Sequence, residues 1–276
     1  MSLRSIASRI RRHLAAARLV LVVGLVGAVL ATGCGGVNRP LAPATPADQL
    51  RIARLRYEQN DYTEAITMLQ GYIQYRAEAS DLDEAHFLLG MCYVHRKEWP
   101  LAAGEFVVVT SDHTDSPRLA DAQYWLGISY WRQSRSAPYD QEPTRRALAQ
   151  WDRFLALYPD HPRAAEAQGF RLEGRTRLAE KALRNGRLYV TLKRYGPALI
   201  YFDEVVAEYA DTKWIDAARV GRVEALLGQG KPDEARLALD QALPSIKDAE
   251  AGRRARELLK KLPPTPGAPP AAGDAG

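Results

Sequence analysis

The chain has 276 residues, 26% of them charged, and only two cysteines, too few for a disulfide framework. Of its 38 basic side chains, five arginines (Arg4, Arg9, Arg11, Arg12 and Arg18) precede Cys34 in a stretch without acids, and the remainder of the chain carries 33 charges of each sign. The formal net charge of +5 therefore belongs to the N-terminal segment and does not argue for a nucleic-acid partner.

The basic N-terminus leads into an apolar run, Leu19–Leu30. That run is shorter than the ~20 apolar residues a membrane span needs. A basic region, an apolar region and then small residues is the order of a secretory signal peptide, expected over residues 1–33. The junction Leu30-Ala31-Thr32-Gly33-Cys34 resembles a bacterial lipobox, with Ala31 where leucine is usual. This resemblance implies that Cys34 is lipidated, with a diacylglycerol and an N-acyl chain, and that it anchors the chain to a membrane. Gly35, which is not an aspartate, implies sorting to the outer membrane. Residues 34–47 contain three prolines and read as a flexible tether.

Residues 48–262 repeat a helix pair. Small residues recur at Ala65, Ala102, Ala147, Ala198 and Ala235, and the first and last two are each 37 apart. Four positions after each alanine stands a large apolar residue: Leu69, Phe106, Trp151, Phe202 and Leu239. The preceding helices carry Leu89-Gly90 with Tyr93, Leu126-Gly127 with Tyr130, and Gly186 with Tyr189, while Val223 and Leu226 replace glycine and tyrosine in the last copy. Pro100, Pro143, Pro197 and Pro232 sit where a first-turn proline costs no hydrogen bond. Asp61 with Glu64 reads as a capping box. This spacing is close to the ~34-residue tetratricopeptide period. The expected fold is all-α: a right-handed superhelix of about five tetratricopeptide-like helix pairs with one continuous core. Ser245–Leu262 reads as a cap helix, with Leu258, Leu259 and Leu262 facing inward. Residues 263–276 are rich in proline, glycine and alanine and are expected to be disordered.

Two stretches break the rhythm. About eight extra residues fall in Arg132–Pro143, read as a loop, and Pro162–Arg194 is nearly continuous helical sequence interrupted only by glycines. That order, with Lys193-Arg194-Tyr195-Gly196-Pro197-Ala198 and Tyr209-Ala210-Asp211-Thr212, resembles the BamD family of outer-membrane protein assembly factors over roughly Asp48–Leu243. That family usually ends the latter stretch Tyr-Pro-Asp-Thr. The resemblance implies a periplasmic lipoprotein on the inner leaflet of the outer membrane. It would dock on the periplasmic domains of a BamA-like barrel protein and help deliver unfolded outer-membrane proteins. The other reading is a different periplasmic repeat lipoprotein, resembling the Tol-Pal-associated coordinator or a pilus-assembly pilotin.

No motif for catalysis is present: there is no HExxH, no GxSxG and no Walker A. Asp112-His113 with Asp115 is the nearest approach to a metal cluster and reads as an ordinary polar turn, so no metal is expected. Cys92 reads as a small buried residue. First helices would line the concave face, and helical phase turns Arg54, Tyr57, Phe87, Met91, His95, Tyr124, Trp131 and Arg132 outward there. The aromatics and Met91 would take apolar side chains, and Arg54, His95 or Arg132 would pair a terminal carboxylate. In the C-terminal half, Tyr201, Asp203, Glu208 and Arg219 fall on outward faces. Tyr201 and Arg219 are the expected partner anchors, because interface cores favour aromatics and arginine.

Overall fold

A computed structural model describes residues 45–76 and 79–262. The expected signal segment, Cys34, most of the tether and the tail after Leu262 lie outside the described residues. Eleven α-helices occupy the described chain: α1 Pro46–Glu58, α2 Tyr62–Tyr75, α3 Leu82–His95, α4 Trp99–Asp112, α5 Leu119–Gln133, α6 Glu142–Leu157, α7 Ala164–Thr191, α8 Tyr195–Glu208, α9 Ile215–Gly228, α10 Pro232–Ala242 and α11 Ala249–Leu259. The array starts at Pro46, two residues before the expected boundary. Consecutive helices pack on one another, α1 also reaches α3, and α9 also reaches α7 and α11, so five helix pairs stack and α11 caps the end.

The repeat phase read from the sequence is the phase of the core. Ala65, Ala102, Ala147, Ala198 and Ala235 are all fully buried, as are Leu69, Phe106, Trp151 and Leu239, with Phe202 at 1% exposure. Glycine on the first helix lets each aromatic in: a Cβ at Gly90 would stand 2.7 Å from the Phe106 ring, and one at Gly186 2.6 Å from Phe202. Gly221 on α9 crowds the same Phe202 ring at 2.6 Å, so this aromatic is wedged between two glycines from successive repeats. The expectation of one continuous core is corrected here. A main core runs from α1 to α9, and a second, smaller one joins Val220, Val223 and Leu226 to α10 and α11. Leu258 and Leu262 point into that second core, and Leu259 packs against it half-buried.

Turns within the repeats share one conformation. Asn60, Lys97, Lys193 and Gly230 all have φ between 57° and 73°. After each, the next N–H donates five residues back: Asp61 to the Arg56 carbonyl, Glu98 to Tyr93, Arg194 to Tyr189 and Lys231 to Leu226. This is a Schellman ending, which satisfies carbonyls the finished helix leaves free. The Asp61 carboxylate caps α2 through the Glu64 N–H at 3.2 Å, but Glu64 turns to Arg56 at 3.1 Å, so only half of the expected capping box forms.

The third repeat replaces this turn with residues 134–141. The Gln141 amide, fully buried, donates to the carbonyls of Arg135, Ser136 and Tyr139 at 2.9–3.2 Å and accepts from Thr144 Oγ1 at 2.7 Å. One side chain thus does for the inserted loop what left-handed residues do elsewhere. After α6 comes α7, an uninterrupted helix of 28 residues, so its glycines do not break it. Gly174 and Gly186 are instead places where Leu148 and Phe202 press against its backbone.

Candidate functional site

The expected concave-face residues divide into two groups. Tyr57, Met91, His95, Arg54 and Arg132 are exposed or half-buried. Tyr57 Oη and His95 Nε2 are 3.2 Å apart, and Tyr62, which sequence reasoning missed, stacks on the His95 ring with centroids 4.5 Å apart. Burial raises the Tyr57 phenol, helped by Cys92 and Tyr62. Arg54 is not free for a ligand, because it already pairs with Glu84 at 2.7 Å. Arg132 lies over the Trp99 ring at 5.8 Å with its charge toward solvent.

The second group corrects the sequence reading. Tyr124 is 1% exposed and Phe87 and Trp131 are 8% exposed, so these three aromatics belong to the core. A guanidinium from the next repeat closes each ring: Arg118 over Phe87 at 5.3 Å, Arg163 over Tyr124 at 4.9 Å and Arg177 over Trp131 at 3.9 Å. Stacked arginine keeps its charge near water while covering the π face. One signal was in the sequence: a cation precedes three first helices, as Arg118, Arg163 and Lys213.

Arg177 also donates to Ser134 Oγ at 2.7 Å, and Lys181 donates to the Tyr139 carbonyl at 2.7 Å. The inserted loop is thereby tied to α7, and burial lowers the Arg177 pKa.

In the C-terminal half, Tyr201 is half-buried and stacks on Tyr189 at 5.6 Å, so one edge of its ring is available. Asp203 pairs with Arg222 at 2.7 Å, and Glu208 is exposed. Arg219 is not the free anchor expected of it: it donates to Asp216 at 3.3 Å and to Ser245 Oγ at 2.9 Å. Helical phase placed Arg219 outward, and the segment leading to α11 folds back onto that side.

Among the described residues no group of three His, Cys, Asp or Glu side chains could hold a metal ion. His113 lies 6.3 Å from the His86 ring, which faces Glu105 at 2.7 Å. Cys92 is fully buried, and burial pushes its thiol up to about 12, far from a reactive thiolate. No helix among the described residues is long and apolar enough to cross a membrane.

Stacked helix pairs with alanine and glycine crossings, closed by a cap helix, define a protein of the tetratricopeptide-repeat class. The model of the YfiO outer membrane lipoprotein family matches residues 38–238, and the chain belongs to that family. No curated protein matches it. Among solved structures, a tetratricopeptide-repeat protein from Bacteroides fragilis is 12% identical over 79% of this chain and 100% of that one, with a TM-score of 0.46. A thermophilic tetratricopeptide-repeat protein from Thermus thermophilus is 18% identical over 78% of this chain and 100% of that one, with a TM-score of 0.35.

Proposed function

We propose that this chain is a non-enzymatic scaffold lipoprotein of the outer-membrane β-barrel assembly complex. In this reading Cys34 carries the lipid and holds the repeat array on the periplasmic face of the outer membrane. The observation that supports it best is membership of an outer membrane lipoprotein family together with the lipobox-like junction at Cys34. A BamA-like barrel protein would dock through its periplasmic domains on the C-terminal repeats, with Tyr201 as the aromatic anchor. Unfolded outer-membrane proteins would meet the Tyr57–Tyr62–His95 cluster and Met91. A terminal carboxylate would pair with Arg132 or His95, since Arg54 is held by Glu84.

Membrane fractionation and co-purification test this. The wild-type chain should label with palmitate, sediment with outer membranes and co-purify with a barrel protein. A Cys34→Ser chain should be unprocessed and unlabelled. Labelling of that variant removes the lipid anchor from the reading, and a wild-type chain that never co-purifies with a barrel protein removes the assembly role.

A further inference from the structure

The 28-residue length of α7 exceeds what a repeat helix needs, and one of its faces is open. Leu172, Glu173, Thr176 and Glu180 line a hollow of about 620 Å³ closed on one side by Ser136 and Ala137 of the inserted loop. Arg187, Val190 and Thr191 line a second hollow, of about 610 Å³, whose other walls are α9 and α11. All these residues recur at helical spacings of three, four and seven, so they share one stripe of α7. Lys213, in the turn between α8 and α9, borders both hollows. From Leu172 to Thr191 the stripe runs roughly 29 Å at ~1.5 Å per residue.

Charge along the stripe is uneven. In the second hollow Arg254 is taken by Glu224 at 2.5 Å and Glu257 at 3.3 Å. Arg187, Lys213 and Arg253 make no ion pair among the described residues, and they outnumber the two acids of that hollow's rim that make none either, Asp248, whose carboxylate caps α11 through the Ala251 N–H, and Glu250. In the first hollow Glu180 is held by Arg184 at 3.0 Å, and Glu173 is exposed without an ion-pair partner among the described residues. Arg177 is spent on the loop and the Trp131 ring. Glu173 thus faces one lobe and Arg187 and Arg253 the other, with Lys213 between them; Glu173 and Arg187 are roughly 21 Å apart along the helix.

We infer that α7 is the floor of a two-lobed groove that takes one extended acidic segment of a partner polypeptide. Its carboxylates lie on Arg187, Lys213 and Arg253, the chain crosses over Lys213, and a lysine or arginine about six residues away reaches Glu173. This deepens the scaffold reading and rests on it, since a scaffold's groove is useful only if a partner supplies the segment. The inserted loop gains a role: tied down by Gln141, Arg177 and Lys181, it is a fixed wall, so the groove loses little freedom on binding.

The test is a titration of the full chain, in detergent, with a labelled peptide of about twelve residues, followed by fluorescence anisotropy. The peptide carries one lysine and, after a glycine–serine spacer of about six residues, three glutamates; a companion peptide lacks the lysine. Binding should weaken steeply as salt rises. Arg187→Glu/Arg253→Glu should weaken both peptides by at least about tenfold, while Arg187→Lys/Arg253→Lys should stay within about threefold of wild type. Glu173→Lys should weaken the lysine peptide by about threefold and leave the companion no weaker. Circular dichroism melts check that each variant is folded, and Arg187→Gln/Arg253→Gln replaces the charge reversal if that one is not. No binding by the wild-type chain, or equal binding by the charge-reversed chain, overturns the groove. Co-purification with a barrel protein is measured on the same variants, so a failed groove with co-purification intact is told apart from a failed scaffold.

Discussion

The indole of Trp151 lies directly against Gly127, so close that a Cβ on residue 127 would overlap Nε1 and Cδ1 of the ring. Two effects of Gly127→Ala then oppose each other. Alanine is favoured in a helix by about 1 kcal/mol. Overpacking a rigid aromatic costs about 1–3 kcal/mol or more, and here it wins, because the indole is fully buried and cannot swing away. Gly127→Ala should therefore lower the urea midpoint. Trp151→Ala, which leaves a cavity, should cost about 3–5 kcal/mol. Gly104 on α4 is the control: nothing stands within 4 Å of a Cβ there, so Gly104→Ala should stabilise by about 0.5–1 kcal/mol. A stabilised Gly127→Ala chain would contradict the close crossing.

Three of the four left-handed turn residues carry side chains. Lys193 at φ 57° bears a strain that Gly230 at φ 73° does not. Lys193→Gly should be neutral or stabilising by up to about 1 kcal/mol, and Gly230→Ala destabilising by about 1 kcal/mol. Thermal melts of the two variants should move in opposite directions or differ clearly in size.

Arg175 on α7 donates through Nε to both oxygens of Asp211, at 3.1 and 2.9 Å, and through Nη2 at 2.7 Å. Hydrogen bonding from Arg175 outweighs burial and holds the Asp211 carboxyl below its ordinary value of 3.8. A depressed carboxylate pKa adds stability that is fully present above 3.8 and is lost as pH falls through the lower folded value. Because Asp211 is 44% exposed, solvent screening limits the pair to about 0.5–1 kcal/mol. Asp211→Asn should be less stable than wild type at neutral pH, and the gap should close only in strong acid. A gap that closes near pH 6 would point to another group.

Asp216 is buried and accepts the Lys247 and Asp248 N–H groups at 2.7 and 2.9 Å, with Arg219 beside it at 3.3 Å. It fastens the start of α11 to α9. Asp216→Ala leaves two backbone donors unsatisfied and should cost about 2–3 kcal/mol, concentrated in the smaller core. Limited proteolysis between Leu243 and Asp248 should accelerate. Arg219→Ala should show the same effect more weakly, by freeing Ser245, with helical content elsewhere unchanged.

The alanine and aromatic ladder was legible in the sequence, because each residue's place in a repeat depends on spacing along one helix and its immediate partner. Ala65 to Ala235 and Leu69 to Leu239 are buried in the phase their spacing implied. The long α7 was legible too, apart from its continuity through Gly169, Gly174 and Gly186. The surface was not. Helical phase says which side of a helix a residue occupies and nothing about what covers that side. Tyr124 and Trp131 pack on Phe154 and Trp151 of their own helix partner, and Arg163 and Arg177 from the following repeat cover the faces that this pair leaves open. Arg219 points outward from α9, and only the return of Ser245 turns it into a strut. The sequence by itself therefore determined the repeat, its period and its packing ladder, which are local. Which rings stay open, which charges stay unpaired and where α7 exposes a groove were decided by contacts between repeats, and those depend on the length of the inserted loop and the position of the cap.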